Sequence, residues 1–125
     1  MILVDTSVWI DNLRSPIPEL RDRVAAGEIL SHDMVIGELA CGHLPQRETF
    51  LRRLQALPII ETLTSADVLR LIEDHAWMGR RIGYVDANLL GSVLAHGEAS
   101  LWTGDRKLSE LADELGVAHA ETGGT

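Results

Sequence analysis

The chain opens on an unbroken apolar run, Met1-Ile2-Leu3-Val4, closed by a carboxylate, Asp5. Such a run fits a parallel strand buried on both faces. Thr6 or Ser7 is placed to cap a following helix. Arg14-Ser15-Pro16-Ile17-Pro18 reads as a loop. Pro18 and Glu19 suit the first turn of a second helix, which Gly27 stops. Ile29-Leu30-Ser31 predicts a second short strand. Asp33 can cap a helix from Met34 to about Cys41, ended by Gly42. Another helix follows Pro45 through Phe50, Leu51 and Leu54, and Leu57-Pro58-Ile59-Ile60 predicts a third strand.

Thr64-Ser65-Ala66-Asp67 has the form of a capping box. Val68, Leu71, Ile72 and His75 then recur on one helical face, which predicts a helix to about Gly79. Gly83 separates it from a helix that carries Asp86-Ala87-Asn88-Leu89-Leu90-Gly91-Ser92-Val93-Leu94. Ala99-Ser100-Leu101-Trp102 predicts a fourth strand. Leu108, Leu111, Ala112 and Leu115 form the apolar stripe of a last helix, and Gly116 stops it. Val117-Ala118-His119 predicts an edge strand. A single domain over residues 1–120 leaves residues 121–125 as a loose tail. Strands alternating with helices imply an α/β protein, with a mostly parallel sheet and helices on both faces.

Four acidic residues break this pattern. Asp5 ends the first strand and Asp105 follows the fourth. Glu38 interrupts the apolar run Met34-Val35-Ile36-Gly37-Glu38-Leu39-Ala40, and Asp86 lies on the apolar stripe of its helix. Carboxylates are rarely buried without a partner. Four of them, with no matching set of inward cations, ask for a shared positive charge. In open parallel sheets, ligands sit beyond the carboxyl ends of the strands, where Asp5 and Asp105 fall. Hard oxygen ligands suit Mg²⁺ or Mn²⁺. Such an ion polarises a phosphodiester and lowers the pKa of a bound water, so phosphodiester hydrolysis is the reaction this set suits. Each acid also has a plainer reading. Asp5 can be a turn residue, Asp105 a helix N-cap, and Asp86 an anion favoured by a helix start. Glu38 shares a helical face with Met34, Val35 and Cys41, where an unpaired carboxylate would be costly.

Composition narrows the picture. At 125 residues, 46% hydrophobic and 24% charged, the chain is globular and large enough for one core. Aromatic residues make up only 4%, so the core is mostly aliphatic. Cys41 is the single cysteine, which rules out an internal disulfide and fits a reducing cytoplasm. No basic leader followed by a long apolar run is present, so no signal peptide is expected. The longest uncharged stretch, residues 87–97, is too short to span a bilayer, so no membrane association is expected. The net charge of −8 argues against a general nucleic-acid binder. Assigning four of those charges to one site leaves about −4, modest for a small domain.

Other motifs are silent. The histidines lack metal-ligand spacing, and Cys41-Gly42-His43 lacks the second pair that zinc needs. No Gly-rich phosphate loop or Gly-x-Ser-x-Gly elbow occurs. Arg52-Arg53 reads as a solvated helix face. Arg80-Arg81 is open to two readings, a solvated turn or a contact to a phosphate backbone. Trp9, Trp77 and Trp102 suit the core or an interface.

Met1-Ile2-Leu3-Val4-Asp5-Thr6-Ser7-Val8-Trp9-Ile10 resembles the opening of PIN-domain proteins, particularly the VapC toxins of bacterial toxin–antitoxin systems. Val35-Ile36-Gly37-Glu38-Leu39, Val85-Asp86-Ala87-Asn88-Leu89-Leu90 and Leu101-Trp102-Thr103-Gly104-Asp105-Arg106-Lys107-Leu108 agree in order. The resemblance covers almost the whole chain. It implies a three-layer α/β/α sandwich and a Mg²⁺- or Mn²⁺-dependent endoribonuclease. It also implies a cytoplasmic homodimer held by a cognate VapB-type antitoxin. By this resemblance Asp5, Glu38, Asp86 and Asp105 are the acidic quartet. Asp5 and Asp86 would be the main metal ligands, Glu38 a direct or water-mediated one, and Asp105 would complete the site or hold a second ion. Thr6, Ser7 and Thr103 would orient carboxylates or waters, Thr103 matching the family's Thr-x-Asp. Asn88-Leu89-Leu90-Gly91-Ser92 departs from the family's more usual Ala-Leu-Ile-Ala-Ala-like run. An antitoxin is expected to mask the acidic crevice. Trp9, Ile10 and Leu13 either line its groove or belong to the core.

Three rivals remain. A receiver-type phosphoacceptor domain needs paired acids after the first strand, and this chain has only Asp5 there. A haloacid-dehalogenase-like phosphatase needs Asp-x-Asp, which Asp5-Thr6-Ser7 breaks. A non-catalytic PIN-like module that binds RNA or protein would have no need of all four acids.

Overall fold

The computed structural model describes residues 1–121; the expected tail lies, beyond Glu121, outside the described residues. Three strands form a parallel sheet: β1 (Ile2–Val4), β2 (Ile29–Leu30) and β3 (Ser100–Trp102), in the order β2-β1-β3. The helices are α1 (Thr6–Arg14), α2 (Pro18–Ala25), α3 (Asp33–Ala40), α4 (Arg47–Ala56), α5 (Ser65–His75), α6 (Tyr84–His96) and α7 (Arg106–Glu114). The third and last expected strands contract to single parallel bridges, Ser31 with Ile59 and Leu101 with Ala118. Pro58 has no N–H to donate, which limits the first of these edges. The order across the sheet is therefore Ile59, β2, β1, β3, Ala118.

That order positions the site. The chain first moves from β1 toward Ile59, then returns across the sheet to β3 and on to Ala118. Right-handed crossovers place α1–α4 on one face and α5–α7 on the other, giving the three-layer sandwich. The direction reverses between β1 and β3, so a crevice opens at their carboxyl ends.

The core is aliphatic. Leu3, Val4, Val35, Val68, Leu89, Leu90 and Leu108 are fully enclosed. The three tryptophans are buried with them, at 7% exposure for Trp9, 2% for Trp77 and 5% for Trp102. In α6, every residue from 87 to 93 is buried, so this helix has no solvent-facing middle. A polar side chain there must find its partners inside the protein.

Several helix starts differ from expectation by one residue. Asp5 itself, not Thr6 or Ser7, caps α1, and its carboxylate accepts from the Thr6 amide at 2.7 Å. His32, not Asp33, caps α3: its Nδ1 accepts from the Met34 amide at 3.0 Å. The Thr64 cap of α5 forms as expected, with the Asp67 amide at 3.2 Å. This helix stops at His75, short of Gly79, because Ala76 turns into the left-handed region at φ 55°.

Candidate active site

β1 delivers Asp5 to the crevice, and it is buried, at 6% exposure. Its carboxylate is clamped by donors from both ends of the chain. The Ser7 hydroxyl donates to Oδ2 at 3.0 Å and the Thr103 hydroxyl donates to the same oxygen at 2.7 Å. Thr103 follows β3 directly, and its Oγ1 accepts from the Asp105 amide at 3.0 Å. The Gly104 amide donates to Ser7 Oγ at 2.9 Å. The β1–α1 and β3–α7 junctions are thus stitched together around one carboxylate.

The other acids come from helix starts and a helix face. Asp105 caps α7, accepting from the Leu108 amide at 3.1 Å. Its plain reading as an N-cap is therefore observed, and this role leaves Asp105 Oδ2 without a hydrogen-bond partner among the described residues. Asp86 sits in the first turn of α6, where Oδ2 accepts from the Gly83 amide at 3.2 Å. Glu38 requires a correction. It does not lie on a buried face; it is exposed, as is Cys41, and α3 turns it toward α1. There the Thr6 hydroxyl donates to Oε1 at 2.7 Å. The apolar run around Glu38 suggested burial because Gly37 and Ala40 are small residues that tolerate either environment.

The charges of the other three carboxylates act on Asp86. Burial raises the pKa of Asp86, the Gly83 hydrogen bond opposes this, and the charges of Asp5, Asp105 and Glu38 each raise it further. Among the described residues, none of the four forms an ion pair with a Lys, Arg or His. Three of them stand at helix N-termini, where the macrodipole favours anions and offsets part of this repulsion. No three His, Cys, Asp or Glu side chains among the described residues are gathered into a ready metal cage. The acids meet at electrostatic range and are held apart by their own hydroxyl and amide donors. In donor type and sign the set fits a hard divalent cation.

Two features escaped the sequence pattern. Asp11 Oδ2 and Ser7 Oγ both lie 3.5 Å from where a Cβ on Gly104 would stand, so Asp11 is a fifth carboxylate on the rim. Its four-residue spacing from Ser7 on α1 was the available signal. Arg80 pairs with Glu114 of α7, which favours the structural reading of that arginine. Beside the site, Trp9, Leu13, Leu20, Val24, Phe50 and Leu54 line an apolar groove of about 340 Å³. A second groove of about 370 Å³ runs from Ile10 and Leu13 to Glu38.

A short parallel sheet whose order reverses at an acidic crevice defines the class. Residues 2–114 match the PIN domain family, and the chain belongs to that family, in its VapC branch. Ribonuclease VapC32 of Mycobacterium tuberculosis, in two strains, is 46% identical over 121 residues, covering 97% of this chain and 98% of the relative. The crystal structure of PAE2754 from Pyrobaculum aerophilum matches with a TM-score of 0.60 at 17% identity, over 92% of this chain and 94% of that one. The second likeness concerns the fold alone.

Proposed function

We propose that this chain is the toxin of a toxin–antitoxin pair and acts as a Mg²⁺- or Mn²⁺-dependent endoribonuclease. The observation that carries the reading is the quartet itself: four carboxylates at the sheet's reversal point, three of whose charges act on Asp86, with none paired with a Lys, Arg or His among the described residues. Similarity to a ribonuclease over nearly the whole chain supports RNA as the substrate. Asp5 and Asp86 would hold the ion, with Glu38 and Asp105 completing its surroundings. When bound, the ion supplies polarisation of the phosphodiester and neutralises charge that develops on it. The protein's own part is orientation. Ser7 and Thr103 fix the Asp5 carboxylate, and Thr6 fixes Glu38.

A free ribonuclease would damage its host, so the reading includes a VapB-type antitoxin. An Arg or Lys from that partner would satisfy the acids by a charge-assisted contact. The apolar grooves beside α1 suit the rest of such a segment. The test is direct. The purified protein should cut RNA with Mg²⁺ or Mn²⁺ and stop in chelator. Co-expression of the adjacent small gene should relieve toxicity. Wild-type cutting rates in Asp5→Asn and Asp86→Asn would overturn the assignment.

A further inference from the structure

The departure at residues 88–92 has a structural counterpart within α6. His32 is completely enclosed. Its Nδ1 accepts the Met34 amide proton, so the ring's own proton resides on Nε2. That nitrogen stands 3.1 Å from both Asn88 Oδ1 and Ser92 Oγ. Ser92 spends its hydroxyl proton on the Glu61 carbonyl at 2.7 Å, which leaves its oxygen free to accept from Nε2. Asn88 grips residue 63 twice: Nδ2 donates to the Leu63 carbonyl at 3.1 Å, and Oδ1 accepts the Leu63 amide at 3.3 Å. With one neutral tautomer, no side-chain polar atom of these three residues is left buried without a partner.

Gly91 belongs to the same arrangement. A Cβ there would stand 2.7 Å from Leu63 Cδ1 and 2.9 Å from Leu71 Cδ1. Asn88, Gly91 and Ser92 therefore make room for, and hold, one extended segment against α6. On its other side that segment bridges to Ser31, next to His32, with the Ile60 amide donating to the Ser31 carbonyl at 2.9 Å. His32 is also the cap of α3. One imidazole thus joins the start of the helix that carries Glu38 to the helix that carries Asp86.

We propose that His32, Asn88 and Ser92 are positioning residues for the acidic site, setting α3 against α6 and so Glu38 against Asp86. The proposal rests on the metal-site reading above. Apolar side chains would fill the same space, but greasy contacts allow two helices to slide. Directional hydrogen bonds in a dry interior allow one register. Glu38 is exposed, and among the described residues its side chain is tied only through Thr6, so its placement depends on where α3 begins.

His32→Asn separates the two jobs of this residue. Asn is among the best N-caps, so α3 keeps its cap, but the shorter side chain cannot reach Asn88. Asn88→Ala with Ser92→Ala removes the same link from the α6 side. Mn²⁺ affinity of the purified full chain, without RNA, would be measured by calorimetry well below the melting temperature of each variant. Both variants should retain their helical circular dichroism and bind Mn²⁺ about tenfold more weakly. A folded His32→Asn protein that binds Mn²⁺ as tightly as wild type overturns the proposal. The ¹⁵N spectrum of His32 in metal-free wild type should show a neutral ring protonated at Nε2 near about pH 7. A ring protonated at Nδ1 overturns the network itself, and this result stands even where neither variant folds. Wild-type protein that neither binds Mn²⁺ nor cuts RNA, yet gives the expected ¹⁵N signal, sinks the nuclease reading and with it the positioning role, but leaves the network standing.

Discussion

At the ends of β1 and β3, four carboxylates share a crevice, with no Lys, Arg or His among the described residues in ion-pair contact with any of them. Between α3 and α6, His32, Asn88 and Ser92 are enclosed and hydrogen-bonded to one another and to the backbone. Both are polar assemblies in a small aliphatic protein. The first repels itself and is held in place by donors that do not neutralise it. The second needs nothing from outside. A set of carboxylates with no cation partner among the described residues points to a ligand, whereas a self-satisfied one points to shape.

The sharpest way to break this contrast is to neutralise one acid without losing its cap. Asp5→Asn keeps an N-cap side chain on α1. RNA cleavage should still fall by more than about a hundredfold, beyond the usual effect of groups one shell outside a ligand. Melting temperature without metal should fall modestly, because an amide cannot accept on both sides from Thr6 and from Ser7 and Thr103. Cleavage near the wild-type rate would reduce Asp5 to a turn residue.

In the buried assembly the larger effect falls on stability. Asn88→Leu keeps the volume and strands the Leu63 amide and carbonyl, while Ser92 Oγ still accepts the His32 Nε2 proton. Urea unfolding should show a loss of about 3 kcal/mol. Gly91→Ala sets two smaller effects against each other. Ala gains about 1 kcal/mol of helix propensity. Crowding Leu63 and Leu71 costs about 1–3 kcal/mol. Net destabilisation of about 1 kcal/mol is expected, and a stabilised variant would show that the segment at Leu63 yields easily.

The smallest effect concerns Asp86. Its raised pKa means that the folded chain holds a proton more tightly than the unfolded one. Wild-type stability from this group is therefore full below the ordinary carboxylate range and lost as pH rises through the raised value. Asp86→Asn should abolish that slope and stabilise the metal-free protein near neutral pH by less than about 1 kcal/mol. Thermal melts of both proteins across this range, in chelator, measure it. An unchanged slope would assign the pH dependence to other groups.

Much of the frame was legible in the sequence because its signals are local. The apolar runs at Ile2–Val4 and Ser100–Trp102, the stripe of α7 and the Thr64 cap depend on neighbours a few residues away. The edge strands were overcalled, since their bridges depend on strands distant in sequence. The four acids could be selected as exceptions to the apolar pattern, and in the fold the charges of Asp5, Glu38 and Asp105 reach Asp86. The exposure of Glu38 could not be read, because the helix face it occupies is set by packing. The role of His32 was hidden for the same reason: its partners lie 56 and 60 residues further along. Polar letters within an apolar helix mark something unusual, but not what they hold.

The clamp on Asp5 also has a consequence in time. Asp5 and Thr103 are 98 residues apart, and β1 lies between a strand made early and one made late. A ribosome that has synthesised β1 through α6 has built most of the core and three of the four acids, yet Asp5 still lacks its second hydroxyl and the crevice lacks a wall. Only when β3 docks beside β1 do Thr103 and Asp105 arrive. The crevice thus stays chemically unfinished until an element distant in sequence from β1 has emerged and docked beside it.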